Sequence, residues 1–295
     1  MNSKKLLNCA LIALLLTGCS SSSSTTTSNN EKPVETEEAV IFQEQTIVEN
    51  ESCSVILKEV DEDGMWGYDW KLYLENKTDK NLMFSMENVS VNGVMADPFW
   101  ASEVASGKSA NETVTWMSTT LEENSIQADS VTQVTFTLNV YDNDDWMADR
   151  IVEQEFTIYP KGEEAATTVE QTTSESDIVL VDNDSVTLTV IGFDENSIYG
   201  FEMKMRVVNK TDKNIMVSAD NVSIDNVMCD PFWADTISAG KTANETITWM
   251  STTLEESGLD KNSISTIELP VTVYDADNWT GENILEETYT ISITH

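Results

Sequence analysis

Two short acidic runs are the first places where this chain could do chemistry. "YDNDDW" at residues 141–146 and "YDADNW" at residues 274–279 set carboxylates at alternate positions, Asp142 with Asp144 and Asp275 with Asp277. Alternate acidic side chains on a loop supply the oxygen ligands that a hard cation such as Ca²⁺ takes. The same residues also close plain turns, because an Asp side chain accepts a hydrogen bond from the backbone two residues on. Neither run has the full spacing of an EF-hand loop. A further cluster, "DEDG" at residues 61–64, is answered by Asp194 and Glu195. Calcium at Asp142, Asp144, Asp275 and Asp277 is the one cofactor these residues bring into view, beside the plain-turn reading.

The second chemical candidate is aromatic. "DPFWA" occurs at residues 97–101 and again at 230–234. Pro98 and Pro231 disfavour helix at the preceding Asp97 and Asp230, so each segment enters as an extended turn. Neighbouring side chains on an extended chain point to opposite sides. One ring of each pair can plug the core while the other faces a partner. Phe is commonly buried and Trp is enriched at binding hot spots. The expectation is therefore that Phe99 and Phe232 are core plugs and that Trp100 and Trp233 form an exposed ligand-binding platform. Trp146 and Trp279, in the acidic turns, are the reserve candidates.

Much other chemistry is missing. The one histidine is the last residue, His295, a poor framework for a Ser-His-Asp or Cys-His nucleophile. A zinc site of His and Cys ligands fails on the same count, and no Gly-rich phosphate loop is present. Paired carboxylates alone suffice for glycoside hydrolysis, which keeps an envelope polysaccharide hydrolase as the alternative to a non-catalytic binding module. The 52 acidic residues outweigh 16 basic ones, for a net charge of −36. That field repels nucleic acid and anionic headgroups, so the expected partner is a cell-surface protein or glycan and no nucleic acid.

The N-terminus suggests where such a module would sit. Lys4 and Lys5 precede an apolar run from Leu6 to Leu16, too short to span a bilayer, followed by Thr17-Gly18-Cys19. This ending resembles a bacterial lipobox, which implies that residues 1–18 are a signal peptide and that Cys19 carries lipid at the mature N-terminus. The expected location is the extracytoplasmic face of the bacterial membrane, with the lipid as the membrane contact. Residues 19–43, rich in Ser, Thr and acids, read as a disordered tether.

The elements that position these residues come from an internal copy. Shifted by 133, residues 68–158 match residues 201–291 at 44 of 91 positions without a gap. The expected organisation is one domain over 44–160, a linker over 161–177 and a second domain over 178–295. Within each copy the apolar residues alternate, as in Tyr68, Trp70, Leu72, Leu74 and in Val134, Phe136, Leu138, Val140. These are strands with one buried face. "NKTDKN" and "VNGV" mark turns, and Pro270 implies an edge position or a bulge. In "TTLEENSI" the capping-box spacing of Thr119 and Thr120 to Glu122 and Glu123 predicts a helical turn over 120–127, with Leu121 and Ile126 facing the core. Cys53 and Cys229, far apart in sequence, are expected to be buried free thiols. Seven or eight strands per copy with one helical crossover give an all-β chain, two tandem immunoglobulin-like β-sandwich domains after a disordered tether.

The lipobox, the Ser/Thr tether and the pattern running from "NKTDKN" through "VSVNG", "DPFW" and "GK" to "VYD" resemble immunoglobulin-like surface lipoproteins of Gram-positive gut bacteria with a duplicated domain. The resemblance covers nearly the whole mature chain. It implies a β-sandwich and an extracytoplasmic location, and it brings no catalytic residues.

Overall fold

The alternating runs fold as strands in both copies. A computed structural model describes residues 42–145 and 147–293; Cys19, Trp146 and His295 lie outside the described residues. The first copy forms β1 (Gln45–Glu49), β2 (Cys53–Gly64), β3 (Gly67–Asn76), β4 (Leu82–Val91), β5 (Val94–Met95), β6 (Ala101–Val104), β7 (Ser109–Met117), α1 (Ser118–Glu123), β8 (Val134–Asp142) and β9 (Val152–Ile158). The second forms β10 (Ile178–Asp182), β11 (Val186–Asp194), β12 (Gly200–Asn209), β13 (Ile215–Ala219), β14 (Ser223–Ile224), β15 (Val227–Met228), β16 (Ala234–Ile237), β17 (Thr242–Met250), α2 (Ser251–Glu256), β18 (Thr266–Asp275) and β19 (Leu285–Ser292). Each copy is an immunoglobulin-like sandwich. A layer β1-β2-β3-β7 packs on β4, β6, β8 and β9, and β10-β11-β12-β17 packs on β13, β14, β16, β18 and β19. The strands are more numerous than seven or eight per copy because bulges break long runs into short pieces. Thus β4 continues past a register shift between Glu87 and Ser90, whereas its counterpart is split into β13 and β14.

Aromatic rings fill the first core. Trp70 lies 5.1 Å from Trp116 and 5.9 Å from Phe136, centre to centre, and all three are fully buried. In the second core Phe201 lies 5.9 Å from Trp249. The two buried tryptophans at matched positions make the same bond. The Trp116 Nε1–H donates to the Ala96 carbonyl at 2.9 Å, and the Trp249 Nε1–H donates to the Cys229 carbonyl at 2.9 Å. "NKTDKN" is likewise a turn wrapped around a buried amide. Asn76 Nδ2 donates to the carbonyls of Lys80 (2.7 Å) and Val104 (2.8 Å), and Asn209 Nδ2 repeats this with Lys213 (2.7 Å) and Ile237 (3.0 Å). A buried polar group must be paired, which explains why the motif returns unchanged. Cys53 and Cys229 are buried free thiols, and burial pushes both above the usual thiol range.

Two local expectations change. The helix starts at Ser118, and Met117 takes the cap position with no side-chain cap, so the capping box does not form. The Ser118 N–H instead donates to the Trp66 carbonyl at 2.8 Å. Leu121 and Ile126 do face the core. Pro270 sits in the interior strand β18, between β19 and the β13–β14 pair, and not at an edge. It lies opposite the interruption between β13 and β14, where the ladder is already broken and a missing N–H is tolerated.

The copies meet along a defined seam. In the first copy β5 adds to the outer edge of β17, in parallel, with Val94 beside Thr242; the Thr242 N–H donates to the Gly93 carbonyl at 3.0 Å. Met95 packs against the second core. Asn244 Nδ2 donates to Asn124 Oδ1 and to Gln171 Oε1, both at 3.1 Å, and Arg206 donates to Asn244 Oδ1 and to the Thr172 carbonyl. The linker thus helps to close the seam.

Carboxyls crowd the same place. Along β16 and β17, Asp235 is in phase with inward Ile237, and Glu245 is in phase with inward Ala243 and Ile247. Burial, then the Asp235 charge and its hydrogen bond, push Glu245 up to about 8. Asp97, from the first copy, is raised by burial and by the charges of Glu87 and Asp235. Arg206, also at the seam, is engaged with Asn244 and Thr172. A carboxyl held neutral in the folded state contributes its stability below the ordinary carboxyl range. It loses that contribution as pH rises towards about 8. Glu245→Gln keeps the shape and cannot ionise. Its melting temperature is expected to exceed that of the parent at pH 8–9, the gap closing towards pH 5; thermal unfolding followed across that range checks it.

Candidate functional site

The "DPFWA" loops reverse the expected roles of their rings. Phe99 is 92% exposed and Phe232 is 99% exposed, whereas Trp233 is buried and Trp100 is half-buried against the first core. Phase explains this. The Trp100 carbonyl already accepts the Met86 N–H, and the Trp233 carbonyl accepts the Ala219 N–H, so both tryptophans belong to the strand ladders. Trp100 then continues the inward set of Val104, and Trp233 continues that of Ile237. The preceding phenylalanine must point outward. In the first loop the Asp97 carboxylate accepts the Phe99 N–H at 2.6 Å, holding Phe99 in the left-handed region at φ 51°. In the second, Asp230 instead accepts the Val222 N–H at 2.6 Å. Trp100 and Trp233 are therefore packing residues, and Phe99 and Phe232 are the displayed ones.

A second displayed group was not anticipated. The tip of the β2–β3 hairpin exposes Met65 (87%) and Trp66 (65%), and the matched β11–β12 tip exposes Ile198 (88%) and Tyr199 (58%). The signal was present in the alignment of "GMWG" with "SIYG": an aliphatic and an aromatic residue before a glycine, at a turn. Those glycines are required. Gly67 has φ 150° and Gly200 has φ 155°, and a Cβ on either would lie 2.0 Å from the Trp116 or Trp249 carbonyl. The hairpin end is thus pressed against the end of β7 or β17. Half-exposed Met117 and Met250 stand beside the tips, paired with Gly67 and Gly200. In the first copy Lys161 pairs with Glu62 at 3.0 Å; in the second Lys261 donates to the Ser197 carbonyl at 3.1 Å. A shallow open depression lined by Ser251, Leu254, Leu259 and Lys261 adjoins the second tip.

The acidic turns are closed by lysine. Asp142 Oδ2 pairs with Lys80 Nζ and Asp275 Oδ2 with Lys213 Nζ, both at 2.6 Å, and the Oδ1 atoms accept the N–H of Asp144 and Asp277 at 3.0 Å. The lysine bond first, and the turn N–H groups after it, hold Asp142 and Asp275 below the usual carboxylate range. The carboxylates a cation would need first are therefore already engaged. No group of three or more His, Cys, Asp or Glu placed to hold a metal ion occurs among the described residues. Trp279, beside the second turn, is 77% exposed. Glu245, raised by burial and by the neighbouring Asp235 charge, sits at the seam between the copies.

No family model matches this chain, and no curated protein matches it. Among solved structures it is similar to the Salmonella enterica SafA pilin in complex with the SafB chaperone, with 9% identity and a TM-score of 0.22, over 83% of this chain and 98% of that one. A likeness at that TM-score carries no argument, and the sandwich fold stands on the sheets described above.

The reversed rings are separable by substitution. Trp233→Ala is expected to cost about 3–5 kcal/mol, as for a buried aromatic truncated in a core. Phe232→Ala is expected to change stability by less than about 0.5 kcal/mol, as at an exposed surface position. Urea unfolding of the two variants checks both values.

Proposed function

We propose that this protein is a non-catalytic binding module, anchored by lipid on Cys19 to the extracytoplasmic face of a bacterial membrane, and that its displayed hairpin tips meet a cell-surface protein or glycan. The observation that carries the reading is the repeated tip. Met65–Trp66 and Ile198–Tyr199 stand exposed at the same place in both copies, each fixed by a glycine that tolerates no side chain. Exposed aromatic and aliphatic residues on rigid supports cost little conformational entropy on binding and dominate interface energetics. Two equivalent tips in one chain give bivalence, which strengthens attachment to a repetitive surface. The net charge of −36 favours a neutral or cationic partner over an anionic one. The lipobox and the resemblance to surface lipoproteins support the location.

The test uses isolated bacterial envelopes and the full chain. Trp66→Ala combined with Tyr199→Ala is expected to weaken envelope binding at least tenfold with an unchanged melting temperature. Periodate treatment of the envelopes abolishes binding if the partner is a glycan, and protease treatment does so if it is a protein. Undiminished binding by the double variant contradicts the proposal.

A further inference from the structure

The strand contact within the seam that joins the two copies is head-to-tail, and each of its two strand halves recurs elsewhere on the molecule, without a strand partner among the described residues. The donor half in the first copy is β5 with the turn before it. Its counterpart in the second copy is β15, which has the same residues, Val227–Met228 for Val94–Met95. The acceptor half in the second copy is the outer edge of β17. Its counterpart is β7, which repeats the sequence Ala-Asn-Glu-Thr, with residues 110–113 matching 243–246.

Burial differs between the copies at these seam positions. Val94 is 1% exposed and Val227 is 37% exposed; Met95 packs on the second core, whereas Met228 is 58% exposed. Ala243 is fully buried, and its match Ala110 is half-buried; Asn244 is half-buried, and Asn111 is exposed. The backbone that makes the contact is the same. Asn92 and Gly93 turn with φ 48° and 83°, and Asp225 and Asn226 turn with φ 48° and 65°, so both turns follow a left-handed course. β7 is the last strand of its sheet and β15 is the last of its own. Among the described residues, no strand is added to the outer edge of β7. An unpaired edge beside an exposed apolar pair is a template for a further strand.

We infer that a second copy of this chain is the partner for these surfaces: β15 of one molecule docks on the β7 edge of the next, reproducing between molecules the seam found within one. The Ser109 N–H then takes the place of Thr242 and the Asn226 carbonyl that of Gly93. The electrostatics are milder than at the internal seam, because Ser102 stands where the second copy has Asp235. Such a contact uses different patches on the two partners, so it propagates head to tail into rings or chains and does not stop at a symmetric pair. The internal seam has the advantage of covalent connection, which raises effective concentration. Association between molecules is therefore concentration-dependent and is favoured by confinement to a surface. The inference does not depend on the hairpin tips, which lie outside both halves of the contact.

Cysteine cross-linking of the full chain in detergent tests it. Val94→Cys with Thr242→Cys reports the internal seam as an intrachain disulfide. Ser109→Cys with Val227→Cys in one chain is expected to give a ladder of dimers and higher species on non-reducing electrophoresis. The two single variants mixed should give a dimer alone, and neither should dimerise by itself. Met228→Glu added to Val227→Cys is expected to cut the mixed dimer at least tenfold with an unchanged melting temperature. Two results overturn the inference: no cross-link between positions 109 and 227 while the internal pair closes fully, or dimers formed equally by each single variant, which mark a symmetric contact.

Discussion

One buried hydrogen bond, made twice, organises what each copy displays. The indole N–H of Trp116 reaches the Ala96 carbonyl, and that of Trp249 reaches the Cys229 carbonyl, each at 2.9 Å. An indole is a large apolar body with one polar handle, and when buried that handle usually takes an acceptor, as it does at Trp116 and Trp249 though not at Trp233. Here it ties the end of one sheet to the loop that leaves β5 or β15. The same residue's carbonyl is the wall against which Gly67 or Gly200 presses. The Phe loop, the hairpin tip and the turn feeding the seam therefore all take their positions from one ring. Tolerance of change is low at the ring and high at the tips it supports.

The copies share this anchor and differ in what surrounds them. One edge of the second sandwich is covered by the first copy, while among the described residues no strand is added to the matching edge of the first. Covering that edge brings Asp97 up to Asp235 in a chain that is already strongly acidic. The apolar gain from Met95 and the ladder bond at Thr242 offset that local repulsion.

Much of the architecture was legible in the sequence. The 133-residue shift announced two equal copies, and the alternation of Tyr68–Leu74 and Val134–Val140 placed the buried faces correctly. The helical crossover is legible too, with Leu121 and Ile126 inward, but its start at Ser118 is set by the Trp66 carbonyl, with no side chain capping the turn, and so leaves no local signal. The ring roles in "DPFWA" follow strand phase and not residue-type preference. Read back from Val104 and Ile237, the period of two already puts Trp100 and Trp233 inside. Lysine pairing of Asp142 and Asp275 was hidden, since Lys80 and Lys213 lie 62 residues away. The seam was invisible for a deeper reason: identical segments in the two copies have different surroundings, and sequence alone cannot say which copy docks on which.

The binding reading proposed above needs short apolar tips held on a firm sandwich. The claim on which the rest hangs is that the tryptophan N–H fixes the displayed loops. Trp116→Phe keeps a ring in the core and removes the donor. Hydrogen–deuterium exchange by mass spectrometry, on the full chain, reads the consequence directly. Faster exchange at both residues 64–67 and residues 95–100, with the matching segments of the second copy unchanged, is the result this structure predicts. Exchange that stays as in the parent at those two segments, or that rises evenly over both copies, would contradict it.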